Sequence, residues 1–99
     1  MQMKRQGDLL LMEIPHIPFN ATRLKHRVLA EGEVTGHFHE LDGGIVYEVD
    51  GRLYFRVEPD EKVILMHPEH GYLTFEPGCY SVKLQREYIP AGPPRRVAD

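Results

Sequence analysis

The stretch IVYEVDGRLYFRV, residues 45–57, decides the fold. Apolar and polar residues alternate on both sides of Asp50-Gly51, the pattern of two short strands joined by a tight turn. With Asp50-Gly51 alone as the loop, Val49 would face Arg52 and each sheet face would receive a mixture of apolar and charged side chains. A three-residue loop, Val49-Asp50-Gly51, separates them better. It pairs Glu48 with Arg52, Tyr47 with Leu53 and Ile45 with Phe55, and puts Gly51 at the left-handed position that a type I turn with a following bulge requires.

The same period of two continues outward. Leu73 and Phe75 before Pro77-Gly78, and Tyr80, Val82 and Leu84 after it, suggest a second antiparallel pair with these five residues on one face. Glycine and proline punctuate the chain at short intervals, leaving apolar runs of strand length. The expected strands are Asp8 to Ile14, His26 to Glu31, Thr35 to Leu41, Ile45 to Val49, Arg52 to Val57, Lys62 to Met66, Tyr72 to Glu76 and Tyr80 to Arg86. About eight short strands with little or no helix imply an all-β fold, a small antiparallel barrel or sandwich, because an open sheet of this size would leave an apolar face wet. The chain has 99 residues, enough for one core and too few for two. Residues 1–88 are expected to form that domain, and the proline-rich residues 89–99 a C-terminal tail or clasp.

Composition narrows the function classes. Twelve basic and 15 acidic residues give a net charge of -3, which provides no general attraction to nucleic acid or anionic lipid, although Met3-Lys4-Arg5, Arg23 to Arg27 and Arg95-Arg96 are local basic spots. Cys79 is the single cysteine, so no intrachain disulfide forms, and the apolar run Leu9 to Met12 is too short for a signal peptide or a membrane span. These features lead us to expect a cytoplasmic protein without membrane contact.

Six histidines are the compositional excess. In GHFHE, residues 36–40, His37 and His39 share one strand face while Phe38 turns to the other, expected to be the core. In MHPEHG, residues 66–71, His67 and His70 flank Pro68-Glu69 in a tight connection that can bring both rings to one side. Imidazole suits zinc and iron, and a catalytic metal needs about three protein ligands with an open position for water. His37, His39, His67 and His70 are therefore candidate metal ligands, with zinc or iron the expected metal. Glu40 and Glu69 are candidate carboxylate ligands, supporting partners or general bases. His16 reads as structural and His26 as a surface residue.

The His37-Phe38-His39 pair and the Gly71 to Gly78 segment resemble motifs of the cupins, which also place a His-x-His pair on a barrel strand. The likeness implies a metal site, but the chain lacks the histidine after Gly78 that completes it; Cys79, Tyr80 and Ser81 stand there. A resemblance that runs end to end is to a set of small uncharacterised bacterial and phage proteins. It rests on Gln6-Gly7-Asp8, the run GEVTGHFH at residues 32–39, His67-Pro68-Glu69-His70-Gly71 and Gln85-Arg86-Glu87-Tyr88. It implies a complete, free-standing protein of that type and carries no mechanism.

Three functions follow from these residues. The first is a histidine cluster that binds a transition metal for hydrolysis or ligand binding. A second is metal-independent cleavage of RNA, with the histidines as general base and acid and Lys83 or Arg86 stabilising the phosphorane. A third is a non-catalytic interaction module that uses strand edges or the tail. The partner is accordingly a small-molecule or RNA substrate, and exposed β edges make a homodimer an expectation. All hinges on whether folding brings two histidine pairs, some thirty residues apart, to one place.

Overall fold

The structure, a computed structural model, describes residues 2–31 and 37–84. Among these it holds ten strands and no helix: β1 (Met3–Gln6), β2 (Leu9–Ile14), β3 (Thr22–Arg23), β4 (Val28–Glu31), β5 (Phe38–Leu41), β6 (Ile45–Val49), β7 (Arg52–Val57), β8 (Val63–His67), β9 (Gly71–Phe75) and β10 (Gly78–Leu84). They build two antiparallel sheets, ordered β1-β2-β10-β7-β6-β3 and β4-β5-β8-β9. The sheets pack as a sandwich rather than closing into a barrel. Where β1 comes alongside β9 the edges are tied by a side chain: Lys4 Nζ donates to Thr74 O and lies 5.0 Å above the Phe75 ring.

The core is where alternation predicts it. Leu9 and Leu11 of β2, Val46 of β6, Phe55 and Val57 of β7 and Tyr80 of β10 meet Leu41, Val63, Leu65 and Phe75 from the other sheet. Phe55, Phe75 and Tyr80 form the centre, with centroids 4.9–5.1 Å apart. Phe55 and Tyr80 are cross-strand neighbours and stack, whereas Phe75 arrives edge-on from the opposite sheet. Burying three such rings fully contributes about 2 kcal/mol each.

Two pairings depart from the sequence-based expectation. The 45–57 hairpin turns on Asp50-Gly51 alone, with Val49 opposite Arg52 and Val46 opposite Phe55. Positive φ at both residues, 52° and 76°, makes this the tight mirror-image turn whose twist matches that of the flanking strands. That match outweighs the tidier face separation of a three-residue loop, and Tyr47 and Tyr54 sit half-buried on the outer face instead. The pair expected around Pro77-Gly78 does not form: β9 pairs with β8, and β10 with β2 and β7. Residues 76–78 cross between sheets, so Phe75 and Tyr80 do share the core, but from opposite sides. Alternation fixes the face a residue occupies; it leaves the partner strand open.

β1 and β3 had no sequence signal. MKRQ carries one apolar residue in four, and Thr22–Arg23 is two residues long. The strand expected from Thr35 starts, in the described residues, at Phe38, and residues 85 and 86 of the strand expected to end at Arg86 lie outside them. So does the 89–99 tail.

Candidate functional site

At one end of the sandwich the apolar rows of the four-stranded sheet turn into histidine. On β8 the inward positions run Val63, Leu65, His67, and on β5 Leu41, His39. His39 is 0% exposed and His67 1%. Phe38, expected in the core, is instead 47% exposed on the outer face, because the core side of β5 belongs to His39 and Leu41. The inward residues of this strand are His39 and Leu41.

The two pairs meet. His39 and His67 have centroids 4.3 Å apart, His67 and His70 4.6 Å, His37 and His67 5.5 Å, and His39 and His70 6.3 Å with nearly parallel planes. His70 reaches the group because Pro68-Glu69-His70 forms a tight turn closed by Gly71 at a φ of 78°. The imidazole of His67 caps that turn: its Nδ1 accepts the backbone N–H of Glu69 and of His70, both at 3.1 Å. A ring nitrogen that accepts carries no proton, so neutral His67 has its proton on Nε2.

His39 has the opposite tautomer, and a residue outside the expected set imposes it. The Nε2 of buried Gln6 donates to Leu65 O at 3.0 Å and to Gly71 O at 2.8 Å. This leaves Gln6 Oε1 as an acceptor aimed at His39 Nδ1, 2.9 Å away. Nδ1 must then be the donor, and the lone pair of His39 lies on Nε2. Asp8 Oδ1 is 4.0 Å from that Nε2.

Gln6 and Asp8 flank Gly7 in the β1–β2 turn, in which Gly7 alone has positive φ, 60°. A Cβ on Gly7 would stand 2.9 Å from Cδ2 and 3.0 Å from Nε2 of His70, and 3.4 Å from Cε1 of His39. Glycine thus opens the space into which both rings edge. On the other flank His37 Nδ1 lies 3.3 Å from Glu69 Oε1, both partly exposed.

The other expected site residues are elsewhere. Glu40 is on the outer face of β5, where Phe38, Glu40, Met66, Pro68 and Tyr72 line a cavity of about 380 Å³ that also touches His67 and Gly71. Lys83 pairs with Leu10 on the outer face of the six-stranded sheet and lines a different cavity, with Glu31, Arg52 and Ser81. Arg86 lies outside the described residues. His16 Nδ1 contacts Ile17 O at 3.3 Å, and His26 is exposed.

Gln6 and Asp8 were missed as site residues, although their segment was noticed. Gly7-Asp8 reads as turn punctuation, which it is; that it also delivers two polar side chains depends on β1, which has no periodic signal.

The cluster offers two chemistries. His39 Nε2 lies 4.0 Å from the Asp8 carboxylate and the His70 ring 6.3 Å from that of His39, and all three are donors of the type that zinc or iron takes. Among the described residues no three His, Cys, Asp or Glu side chains are already arranged to hold a metal ion. Two donors sharing one tetrahedral ion at about 2.0 Å stand about 3.3 Å apart, so Asp8, at 4.0 Å, would have to swing inward. Alternatively, the tautomers provide an acceptor at His39 Nε2 and a donor at His67 Nε2 for proton transfer.

Away from the histidines, burial raises the Tyr80 hydroxyl above the ordinary phenol pKa of 10.0, helped by the nearby charges of Glu13 and Glu76. The hydroxyl donates to Glu76 O at 2.7 Å.

Comparison with known proteins gives one match: the family described as Domain of unknown function (DUF8820) matches residues 5–85. No curated protein and no solved structure matches. No helix among the described residues is long and apolar enough to cross a membrane.

Proposed function

This chain belongs to the DUF8820 family, and we propose that its histidine cluster is a transition-metal site, for zinc or iron, serving hydrolysis or ligand binding. One observation carries the reading: Gln6, locked by two backbone carbonyls, fixes the His39 proton on Nδ1 and leaves the lone pair on Nε2 beside Asp8. A buried hydrogen-bond partner that orients a ligand imidazole in this way is the usual support of a metal-binding histidine.

The roles divide accordingly. His39, His70 and Asp8 would hold the ion. His67, whose Nδ1 holds the turn, places His70. His37, paired with Glu69, borders the site and can act as a proton carrier there. A bound ion would supply Lewis acidity.

The test is elemental analysis of protein expressed with zinc and iron supplied. About one metal per chain is expected, lost in His39→Ala and in Asp8→Asn and retained in Glu40→Ala. A metal-free parent, or metal that survives both of the first two substitutions, overturns the reading.

The His37–Glu69 contact favours one rival, metal-independent RNA cleavage, since a carboxylate beside Nδ1 is how a general-base imidazole is oriented. Lys83 does not supply its cation, being on the outer sheet face. Cleavage of RNA in excess chelator, abolished by His37→Ala, would establish this rival in place of the metal.

A further inference from the structure

We propose a second site, separate from the cluster of His37, His39, His67 and His70: a cationic groove formed by residues 23–27 that binds the phosphate groups of a nucleotide or a single nucleic-acid strand. The segment runs from β3 in one sheet to β4 in the other and is anchored to both. Leu24 N donates to Val46 O at 2.8 Å, and Arg27 O accepts from Leu41 N at 2.9 Å. Its side chains Arg23, Lys25, His26 and Arg27 line a cavity of about 430 Å³ whose floor includes Gly44 and Val46. That volume lies within the range of small-ligand sites.

Two of the four donors are set in place. Arg27 Nε donates to Gly44 O at 3.1 Å, which fixes the guanidinium plane and leaves its terminal nitrogens for a ligand. His26 Nδ1 accepts from Val28 N at 3.3 Å, so its proton lies on Nε2 as a further donor. Among the described residues the ion pairs involve His37, His39, Arg56 and Lys62, not Arg23, Lys25 or Arg27. The Glu61 carboxylate, which accepts from Gly44 N at 3.4 Å, is also engaged by Glu58 N at 3.0 Å.

Three cations around one cavity, with no ion pair among the described residues, are a local inversion of sign in a chain of net charge -3. Guanidinium forks match phosphate oxygens two at a time, which favours phosphate over a lone carboxylate. The apolar floor suits the body of a nucleotide.

Fluorescence anisotropy tests this with two probes at low salt, a labelled single-stranded oligonucleotide and a labelled adenosine triphosphate. At least one should bind saturably. The Arg23→Ala/Lys25→Ala/Arg27→Ala variant should weaken it at least tenfold, whereas Arg52→Ala should not. With three phosphate contacts, oligonucleotide affinity should fall roughly tenfold to twentyfold between 50 and 200 mM salt, and this dependence should flatten in the variant. Arg23→Ala/Lys25→Ala, which removes only exposed side chains, repeats the test should the triple variant misfold. Binding of the triphosphate alone marks a free phosphorylated ligand, and tighter binding of the oligonucleotide marks a strand; either supports the site. No binding of either probe, or unchanged affinity in the variants, overturns it.

Discussion

At the scale of single residues, Gln6 matters out of proportion to its size. Its amide satisfies Leu65 O, Gly71 O and His39 Nδ1, so it links β1 to β8, β9 and β5. Gln6→Ala would leave Leu65 O, Gly71 O and His39 Nδ1 without that partner and open a void; a loss of about 3 kcal/mol is expected in urea unfolding. Tyr80 makes a different prediction. Its folded pKa is raised above the unfolded value, so the folded state holds the proton more tightly, and the contribution is present below about pH 10 and lost as pH rises through the folded pKa. The urea midpoint of the parent should therefore fall above pH 10, and the fall should be smaller in Tyr80→Phe. The histidines were legible as a set, because spacings of two and three within short segments are visible in sequence. Which way His39 and Phe38 face was not. Alternation says only that they face oppositely, and the choice of side was made by Leu41 and by the row Val63, Leu65, His67 that β5 packs beside.

At the scale of elements, two tight hairpin turns depend on positive-φ glycines. Gly51 has a φ of 76° with nothing within 4 Å of where a Cβ would be, so Gly51→Ala incurs only the conformational penalty, about 1 kcal/mol, with no change in packing. Gly7 has a φ of 60° and also a Cβ position 2.9 Å from the His70 ring. Gly7→Ala should therefore cost clearly more than Gly51→Ala, and it should displace His70, which chemical denaturation and histidine NMR signals of the two variants would show side by side. Seven of the eight expected strands were readable to within a residue or two at their described ends because period two is strong over five or six residues. The loop register at residues 49–51 was not, since it is set by the twist of the turn, which a face-matching argument ignores. Nor was the Pro77-Gly78 crossing, since the inward residues of β9 and β10 look the same to the sequence whether they sit beside each other or across the core.

At the scale of the whole molecule, the sandwich places different chemistry at different places. Its centre is the Phe55, Phe75 and Tyr80 cluster; one end holds the histidines beneath the β1–β2 turn; and the junction of β3 with β4 carries the basic groove. His39 and His67 continue the core rows with polar residues, which is why these two are buried while His70 is exposed, and why Gln6 of β1 is needed to satisfy His39. The measurement that tests this most directly is the ¹⁵N spectrum of the imidazole rings, recorded before and after one equivalent of zinc. In the metal-free protein His39 is expected to be protonated on Nδ1 and His67 on Nε2, and one equivalent of zinc is expected to shift His39 Nε2 while His67 Nδ1 stays unchanged. A His39 proton on Nε2, or zinc that leaves the His39 signals where they were, would contradict this.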